Sequence, residues 1–266
     1  MRIGFVQTNP EFGQVEQNVS RAIDMIESTD ADLIVLPELF STGYLFPDRR
    51  VLSELAESVP AGPTFRRMSD LAISTNSIIV FGIAEKVGDK LYDSSVCVAP
   101  EGCCHIYRKL HLFAGEKAYF DPGDLPLRAY DVNDCTLGMM VCFDWIFPEV
   151  CRVLALKGAR VICHPVNLVL PYCQDVMRAR SIENQVFTVT ANRFGTESQG
   201  GKNLTFTGRS QIVAPNGEVL ARADESDESI QVVDVDLHLA ESKQVTEQND
   251  IFADRRTRFY NDILSS

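Results

Sequence analysis

The sequence has few of the residues, and none of the long apolar runs, on which several classes of protein depend. It contains four histidines and one tryptophan among 266 residues. No apolar run approaches the roughly 20 residues that a membrane-spanning helix needs. A strand-like segment begins at Ile3, with no charged and then apolar leader before it. These absences predict a cytoplasmic protein that has no membrane partner.

Basic residues are in deficit. Lysine and arginine number 25 against 37 aspartates and glutamates, which gives a formal net charge of -12. Such a charge disfavours nucleic acid and anionic membranes as partners, so we expect neither. The hydrophobic fraction of 45% is ordinary for a globular protein, and the chain is long enough to bury a large core.

Several signatures of known chemistry are also missing. The segment TNPEFGQ after the first strand matches neither the glycine pattern of a dinucleotide-binding turn nor a P-loop. No G-x-S-x-G occurs, so the usual nucleophile turn of a serine hydrolase is absent. No histidine lies near Cys142 in the sequence, which leaves a Cys-His dyad with little support. Any catalysis must therefore depend on other residues.

The eight cysteines form no recognisable framework. They are spread through the chain without a C-x-x-C pair or a secretion signal, which predicts reduced thiols. Cys103, Cys104 and His105 form the densest cluster of soft metal ligands, but no second half follows at zinc spacing. We expect a strand with small buried side chains there, and neither a metal nor a cofactor in the protein.

Segments typical of strands and helices alternate along the chain. Continuous apolar runs such as 33–36 are typical of strands that are covered on both faces. Pro63 and Pro148 each suit the first turn of a helix, and Asn216-Gly217 suits a hairpin turn. No linker interrupts the pattern, which predicts one α/β domain. The predicted strands are 3–7, 33–36, 78–84, 94–99, 104–108, 137–143, 161–164, 186–191 and 230–235, and helices are predicted from residues 15, 63, 148 and 175.

Three reactive side chains lie at or near the ends of apolar segments. Glu38 comes shortly after the run 33–36, Cys142 follows the run 137–141, and Lys109 has aliphatic and aromatic neighbours. Each alone has an ordinary explanation, such as a buried structural thiol for Cys142. Together, a carboxylate, an ammonium and a thiol can deprotonate the thiol and stabilise an oxyanion. The combination predicts acyl-transfer chemistry.

The segments around these residues resemble the three catalytic blocks of the nitrilase superfamily, the carbon–nitrogen hydrolases. The blocks are PELFSTGY, YRKLHLFAGEKAYFDPG and VCFDWIFPEVCRVLALKGARVI, in that order. Glu38 and Lys109 are 71 residues apart, and Lys109 and Cys142 are 33 apart, which suits that family. Further similarity in 178–192 and 206–220 extends the resemblance over nearly the whole chain.

The resemblance implies a four-layer α-β-β-α sandwich in a single domain, with the active site at the ends of strands. Members of the superfamily usually form dimers that build larger assemblies, and their C-terminal tail often crosses to the partner. We therefore assign 1–250 to the hydrolase domain and 251–266 to a tail whose apolar residues a second subunit could cover. A homodimer or higher homo-oligomer is expected.

The resemblance also implies a role for each matched residue. Cys142 is the nucleophile, and Glu38 is the general base that takes its proton and later activates water. Lys109 stabilises the oxyanion, with the backbone N–H of Phe143 as a second donor. Glu116 matches the glutamate that orients the lysine and the substrate. If Glu38 and Glu116 are close, their repulsion raises the pKa of one of them, and Lys109 offsets part of that rise.

Other residues are candidates for the substrate pocket. Trp145 and Phe147 come just after the nucleophile, and core packing is the alternative for both. Asn167 follows a predicted strand and is a candidate to face the site, although a position outside it is favoured. Arg180, Glu183 and Asn184 match a family segment in which structural hydrogen bonding is the better interpretation.

The predicted reaction is hydrolysis of a small non-peptide amide through a Cys142 thioester, which releases an acid and ammonia or an amine. Phe143-Asp144 stands where nitrile-cleaving members commonly carry Trp-Glu, which favours an amidase. A nitrilase and an N-carbamyl amide hydrolase remain alternatives on the same residues. So do an acyltransferase, an ammonia supplier to a separate synthetase, and a non-catalytic binding protein, although the intact catalytic residues disfavour the last.

Overall fold

The computed structural model describes residues 1–264, and its regular elements alternate much as the sequence pattern predicts. The strands are β1 (Arg2–Gln7), β2 (Leu33–Val35), β3 (Ile78–Val87), β4 (Lys90–Val98), β5 (Cys104–Arg108), β6 (Ala129–Val132), β7 (Cys135–Met139), β8 (Val161–Val166), β9 (Phe187–Asn192), β10 (Phe194–Gln199), β11 (Lys202–Thr207), β12 (Gln211–Val213), β13 (Val219–Arg222), β14 (Ser229–Asp234), β15 (Gln244–Thr246) and β16 (Asn249–Asp250). The α-helices are α1 (Val15–Glu27), α2 (Arg49–Leu55), α3 (Pro63–Thr75), α4 (Pro148–Leu156) and α5 (Cys173–Asn184).

Two six-stranded sheets form the middle of the molecule. The first has the order β14-β1-β2-β3-β4-β5, and the second has the order β13-β12-β9-β8-β7-β6. In each sheet three central strands are parallel, namely β1-β2-β3 and β7-β8-β9. The carboxyl ends of parallel strands meet at one edge of a sheet, which is where α/β proteins place their sites. The loops after β2, β7 and β8 leave from these edges.

The two faces of the first sheet bury different apolar clusters. Leu33 and Ile78 face the second sheet, whereas Ile34 and Ile79 pack with residues of α1 and α3. This alternation follows from the two-residue period of a strand. Helices α4 and α5 cover the outer face of the second sheet in the same way. The predicted four-layer α-β-β-α sandwich, formed by a single α/β domain, is confirmed.

Several local predictions hold. Strand β5 has the predicted bounds, and α3 and α4 begin at Pro63 and Pro148. Strands β12 and β13 form the predicted hairpin, in which Gly217 has a φ of 83°. A positive φ is readily adopted by glycine, which explains its place at the turn. Helix α5 begins at Cys173, two residues earlier than predicted.

The predicted strand 137–143 is wrong in its second half, because β7 ends at Met139. The N–H of Val141 donates to a side-chain oxygen of Asp144 over 2.9 Å. Such a bond competes with the sheet ladder. At Cys142 the φ is 39°, outside the β region, and a short 3-10 helix begins, Cys142–Ile146. The thiol therefore lies on a turn and not at the end of a strand.

Sequence analysis missed the shorter elements, which are α2, β6, β10, β11, β15 and β16. The hairpin of β10 and β11 consists mostly of polar residues, so it lacks a hydrophobic alternation to indicate it. Helix α2 did carry a signal. The side chain of Asp48 caps its first turn by accepting a hydrogen bond from the N–H of Val51 over 2.8 Å, and aspartate is a favoured N-cap.

The tail has little regular structure up to residue 264. It contains two 3-10 turns, Thr257–Phe259 and Asn261–Leu264. Phe252 packs against the hydrophobic core, whereas Leu264 is 88% exposed. The last two residues of the proposed tail, 265 and 266, lie outside the described part, and the boundary at residue 250 stays a prediction. Within residues 1–264 no helix has both the length and the apolar character needed to cross a bilayer.

Candidate active site

Glu38 lies in a tight loop after β2, and this loop packs closely against Gly82 of β3. The N–H of Gly82 donates to the carbonyl of Pro37 over 3.1 Å, and Phe40 donates back to the carbonyl of Gly82 over 3.3 Å. A Cβ at Gly82 would lie 2.4 Å from the Cα of Glu38. The loop approaches β3 this closely because residue 82 has no side chain. The carboxyl group of Glu38 is thereby buried completely.

Lys109 follows β5 and is held by β4, since its N–H donates to the carbonyl of Asp93 over 2.8 Å. Its side chain is buried, and its Nζ contacts three carboxylates. The distances are 2.6 Å to Glu38 Oε1, 2.7 Å to Glu116 Oε1 and 3.1 Å to Asp93 Oδ2. An ammonium has three N–H donors, so this geometry occupies all of them.

Glu116 lies in a 3-10 helix, Ala114–Ala118, and its carboxylate is directed into the protein interior. The N–H of Phe113 donates to Oε2 over 2.7 Å, and the hydroxyl of Tyr44 donates to Oε1 over 2.6 Å. These bonds hold Glu116 against Lys109, where the resemblance placed it. Asp93 was missed by sequence analysis, because a carboxylate among the polar and apolar residues of the strand KLYDSSVCV looks ordinary.

Cys142 is the first residue of the 3-10 helix Cys142–Ile146. Its φ of 39° is unusual for a residue with a side chain, and such backbone strain clusters at functional sites. The Sγ lies 3.8 Å from the carbonyl oxygen of Asn167. The N–H of Phe143 is in the first turn, where the N–H groups of a helix have no acceptor within the helix.

Asp144 holds this turn in place, a role that sequence analysis missed. Its buried carboxylate accepts hydrogen bonds from the hydroxyl of Tyr107 and the Nδ1 of His111, both over 2.7 Å, and from the N–H of Val141. Two of these partners come from the segment around Lys109. The turn that carries the thiol is therefore tied to the segment that carries the ammonium.

His164 lies beside the turn Cys142–Ile146, although it is 22 residues from Cys142 in the sequence. We call this turn the nucleophile turn, after the role that the sequence resemblance implies for Cys142. Its Nε2 is 3.0 Å from the carbonyl oxygen of Cys142, so it contacts the backbone there. Burial lowers the pKa of His164 to about 4. The ring is therefore neutral near pH 7 and donates its Nε2 proton to the carbonyl. This contact orients the turn and gives no support to a Cys-His dyad.

The three predicted pocket residues lie at different depths. Asn167 donates from Nδ2 to the carbonyl of Glu38 over 2.9 Å, and so links the two sheets at the site. Trp145 is buried and lines a small cavity with Cys142 and Asn167. Phe147 lies further out, where its ring stacks on His111 at a centroid distance of 3.6 Å.

Arg180, Glu183 and Asn184 form structural hydrogen bonds, as interpreted from the sequence. The Nε of Arg180 donates to the carbonyl of Trp145 over 3.2 Å, and its Nη1 lies 3.0 Å from Glu183 Oε1. The side chain of Asn184 donates to the carbonyl of Arg180 over 2.9 Å. These bonds support the far end of the nucleophile turn.

Burial and like charges dominate the electrostatics of the cluster. Burial and the nearby Asp93 raise the pKa of Glu38, although Lys109 opposes the rise. Burial also raises the pKa of Glu116. Desolvation is the larger cause for both glutamates. The expected repulsion by Glu116 makes the smallest contribution to the raised pKa of Glu38, and the like charge that raises the pKa of Glu116 is Asp93. Burial alone would lower the pKa of Lys109, but its three carboxylates outweigh burial and raise it.

The thiol behaves differently from the sequence-based expectation. Burial, followed by the charge of Glu38, raises the pKa of Cys142 well above its usual value, and Lys109 offsets only part of this. The resting thiol is therefore protonated at neutral pH. Its proton must leave as the sulfur attacks, which requires a base in contact with the site.

The acidic cluster of Glu38, Asp93 and Glu116 surrounds a cation, which is the ammonium group of Lys109. Among residues 1–264, the one group of ligand-type side chains placed to share an ion is Glu38, Asp93 and Glu116. The Nζ of Lys109 lies between all three. At the other candidate cluster, the ring of His105 stacks on Tyr130 at a centroid distance of 4.2 Å.

Two cavities adjoin the cluster. The cavity at Cys142 has a volume of about 20 Å³, which is room for a single small group. A second cavity of about 390 Å³ reaches Glu116 and is lined largely by aromatic side chains, among them Tyr44 and Phe120. Phe113 lines both cavities. The sizes fit a small molecule and not a polypeptide.

The fold and the site define a class of protein, in which a thiol on a strained turn adjoins a buried cluster of carboxylates and one ammonium inside an α-β-β-α sandwich. Comparison with known proteins gives the same class. The carbon–nitrogen hydrolase family model matches residues 2–244. A nitrilase from Pyrococcus abyssi (strain GE5 / Orsay) is 46% identical over 98% of this chain and 99% of its own length.

Two solved structures are similar throughout. A carbon–nitrogen hydrolase from Helicobacter pylori G27 is 27% identical, with a TM-score of 0.90 over 100% of this chain and 98% of its own. A mutant of the amidase from Nesterenkonia sp. AN1 is 25% identical, with a TM-score of 0.83 over 99% of each chain. That structure shows the result of Michael addition of acrylamide at the active site cysteine.

The chain belongs to the carbon–nitrogen hydrolase family, within the nitrilase superfamily, and is an enzyme of that family. The resemblance seen in the three sequence blocks is confirmed.

Proposed function

We propose that this enzyme hydrolyses the C–N bond of a small non-peptide amide through a thioester on Cys142. The observation that carries the proposal is the buried Lys109 Nζ, which is hydrogen-bonded to Glu38 and Glu116 and lies close enough to the thiol to affect its pKa. A base, an oxyanion donor and a nucleophile are thus gathered in one water-poor space. Charges in such a space act more strongly than they do in water.

The first half of the reaction forms the thioester. Glu38 takes the proton of the thiol as Sγ attacks the carbonyl carbon, while the N–H of Phe143 donates a hydrogen bond to the oxyanion and the positive charge of Lys109 stabilises it electrostatically. The C–N bond then breaks, and the leaving nitrogen takes the proton from Glu38. Since burial raises the pKa of Glu38, its carboxylate is a stronger base than an exposed one.

The second half releases the acid. Glu38 removes a proton from water, the hydroxyl oxygen attacks the thioester carbon, and the C–S bond breaks. The proton held by Glu38 returns to the sulfur. Glu116 holds Lys109 in position through both halves, since it is itself fixed by Phe113 and Tyr44. No cofactor takes part in this scheme.

A nitrile is the second candidate substrate, because a relative 46% identical to this chain is named a nitrilase. The same thiol would attack the nitrile carbon and form a thioimidate. Asp144, which follows Phe143, is fully used in holding the nucleophile turn. It stands where nitrile-cleaving members commonly carry glutamate, and for that reason amides are placed first and N-carbamyl amides beside them.

The test is ammonia release from a panel of small aliphatic amides, N-carbamyl amides and nitriles, with intact-protein mass spectrometry on the same samples. Turnover of amides with an acyl adduct is the expected result. Turnover of nitriles alone would place the second candidate first. Acyl transfer to added hydroxylamine at the expense of hydrolysis would indicate an acyltransferase. A panel without turnover or adduct would favour a binding protein.

Cys142→Ala is the decisive variant in this panel. We expect it to lose turnover and the adduct while its thermal unfolding temperature stays close to that of the wild type, because the small cavity tolerates a smaller side chain. Cys163→Ala is a matched control, since this buried thiol lies on β8 away from the cavity. Retained turnover in Cys142→Ala would contradict the assignment of the nucleophile.

A further inference from the structure

Asp93 has no role in the reaction proposed above, yet it lies inside the catalytic cluster. It is on β4, its side chain is fully buried, and its Oδ2 is 3.1 Å from the Nζ of Lys109. The ligand oxygens of Glu38, Asp93 and Glu116 all lie within 4.8 Å of one another. Three carboxylates thus surround one ammonium, an excess of negative charge that burial makes costly.

Two oxygens in this cluster have no donor. Within the described residues, Glu38 Oε2 and Asp93 Oδ1 are buried and lack a hydrogen-bond partner. The ammonium cannot supply one, because its three N–H groups are already directed at the other oxygens of the cluster. Glu116 differs, since both of its oxygens accept hydrogen bonds.

One proton on Glu38 or Asp93 both reduces the buried negative charge and supplies a donor for the oxygens that lack one. A carboxyl group that carries a proton becomes a donor, and it can hydrogen-bond to a neighbouring carboxylate. Two carboxylates that share a site are known to hold one proton between them, because both cannot ionise at short range. The neighbouring Asp93 also contributes to raising the pKa of Glu38, in agreement with this geometry.

We propose that Glu38 and Asp93 share one proton in the resting enzyme, and that Asp93 is a positioning residue that holds Glu38 through this proton. The proposal rests on the proposed role of Glu38 as the general base. The shared proton stays with the pair throughout the cycle. The thiol proton is a second one, which passes to Glu38 Oε1 as sulfur attacks and leaves with the departing nitrogen.

The groups that face this pair are few. They are Lys109 after β5, Glu116 in its 3-10 helix, the hydroxyl of Tyr44, and the thiol of Cys142, whose pKa responds to Glu38. Asp93 acts through Lys109 and Glu38, and no contact between it and Cys142 is needed. Asparagine in place of Asp93 resembles the protonated aspartic acid of the pair, so Glu38 keeps an ionisation of its own, whereas the second ionisation of the pair, which releases the shared proton at higher pH, is lost.

The main variant is Asp93→Asn, which keeps the shape of the side chain and removes its charge. We expect the acid limb of the kcat/KM profile to stay close to that of the wild type, because Glu38 has an uncharged neighbour in both proteins. The pH profile of Cys142 alkylation by iodoacetamide, which needs no turnover, should show the ionisation of the shared proton in the wild type and lack it in the variant. Asp124→Asn is the matched control, because Asp124 is bonded to Arg108 and Tyr92 outside the cluster. It should shift neither profile.

Infrared spectroscopy tests the proton itself. The wild type at neutral pH should show the carbonyl band of a protonated carboxylic acid, sensitive to ¹³C labelling of aspartate or glutamate, and Asp93→Asn should lack it. No such band in the wild type, or a second ionisation that persists in a folded Asp93→Asn, would overturn the proposal. The wild-type spectrum decides even if the variant does not fold. Because the spectrum needs no substrate, this failure is distinct from a failure of the proposed reaction.

Discussion

Lys109 is the residue on which the polar groups of the site converge. Its Nζ touches Glu38, Asp93 and Glu116, and its backbone N–H is held by the carbonyl of Asp93. The positive charge of an ammonium that several partners hold in place can stabilise the proposed oxyanion without reorganisation, which is the condition for strong electrostatic catalysis. The same contacts make the lysine important for stability, because it neutralises buried carboxylates.

Replacing Lys109 with alanine should lower kcat far more than it changes KM. One oxyanion donor is commonly worth about 10²–10³ in rate, and the substrate binds mainly through other contacts. Steady-state kinetics on protein shown to be folded by circular dichroism measure the two constants separately. Lys86→Ala is the control, since this lysine on β3 donates to Ser53 Oγ over 2.8 Å outside the cluster. A change confined to KM would remove Lys109 from the chemistry.

The lowered pKa of His164 predicts how the stability of the protein against unfolding decreases in acid. Burial lowers its pKa from 6.5 to about 4, so between these values the unfolded chain binds a proton that the folded chain does not. Stability is therefore fully present above pH 6.5 and falls as the pH drops toward 4, by about 3 kcal/mol for this group. Urea unfolding from pH 7 to pH 4.5 measures it.

In that experiment His164→Gln should lose part of the acid sensitivity, whatever its stability at neutral pH. His238→Gln, at a histidine whose side chain is 80% exposed, should keep it. Equal slopes of stability against pH in the wild type and His164→Gln would contradict the prediction.

The residues of the site differ in how far they could be predicted. Four residues stand in sequence blocks with a recognisable order, so the sequence alone predicted that they share one site. They are Glu38, Lys109, Glu116 and Cys142. Asp93, Asp144 and His164 look like ordinary polar residues in strands or loops. Their roles depend on a second segment that folds against them, such as the pairing of β4 with β5. No local pattern encodes such a contact.

Among the elements, β3 controls the position of Glu38, the proposed general base. Gly82 lets the loop at Glu38 come within the space that a Cβ would occupy. The elements with long apolar runs could be predicted because hydrophobic periodicity dominates them. The nucleophile turn could not, because the bonds of Asp144 and the positive φ of Cys142 end β7 within an apolar run.

Gly82→Ala should therefore reduce kcat/KM strongly by displacing Glu38. The added methyl would sit 2.4 Å from a backbone atom, which must move. Gly158→Ala is the control. Gly158 has a φ of 95°, so alanine strains the backbone there, but its Cβ meets nothing within 4 Å. Kinetic constants and unfolding temperatures of both variants separate the effects. If the two lose stability equally and Gly82→Ala keeps its activity, the loop position is not critical.

At the scale of the whole molecule, the site is built by both sheets. The first sheet and its loops supply Glu38, Asp93 and Lys109, and the second supplies Cys142 and Asn167. The hydrogen bond from Asn167 to the carbonyl of Glu38 joins the two sheets at the site. Four-layer packing could be predicted from the resemblance, whereas the depth of burial, which raises the pKa of Glu38, Glu116 and Cys142, required the folded structure.

The C-terminal tail carries the last prediction, that the protein is a homodimer or larger and that the tail helps to hold it. Ile263 is 56% exposed, Phe259 62% and Leu264 88%. Each Å² of apolar surface left in water costs about 25 cal/mol, so a second subunit that covers these side chains would be stabilised. Phe252, by contrast, packs against Arg152 and Lys243 of its own chain. The segment that reaches a partner must therefore begin after it.

Sedimentation equilibrium of the full chain and of a chain lacking residues 257–266 tests this without disturbing Phe252. We expect the full chain to be dimeric or larger and the shortened chain to dissociate at higher protein concentration. Phe259→Ser with Leu264→Ser should act like the truncation, whereas Ile73→Ser, at a residue of α3 that is 56% exposed, should not. A monomeric full chain would contradict the assembly itself. Unchanged association of the shortened chain would instead place the interface on the folded domain, and the apolar tail would then need another explanation.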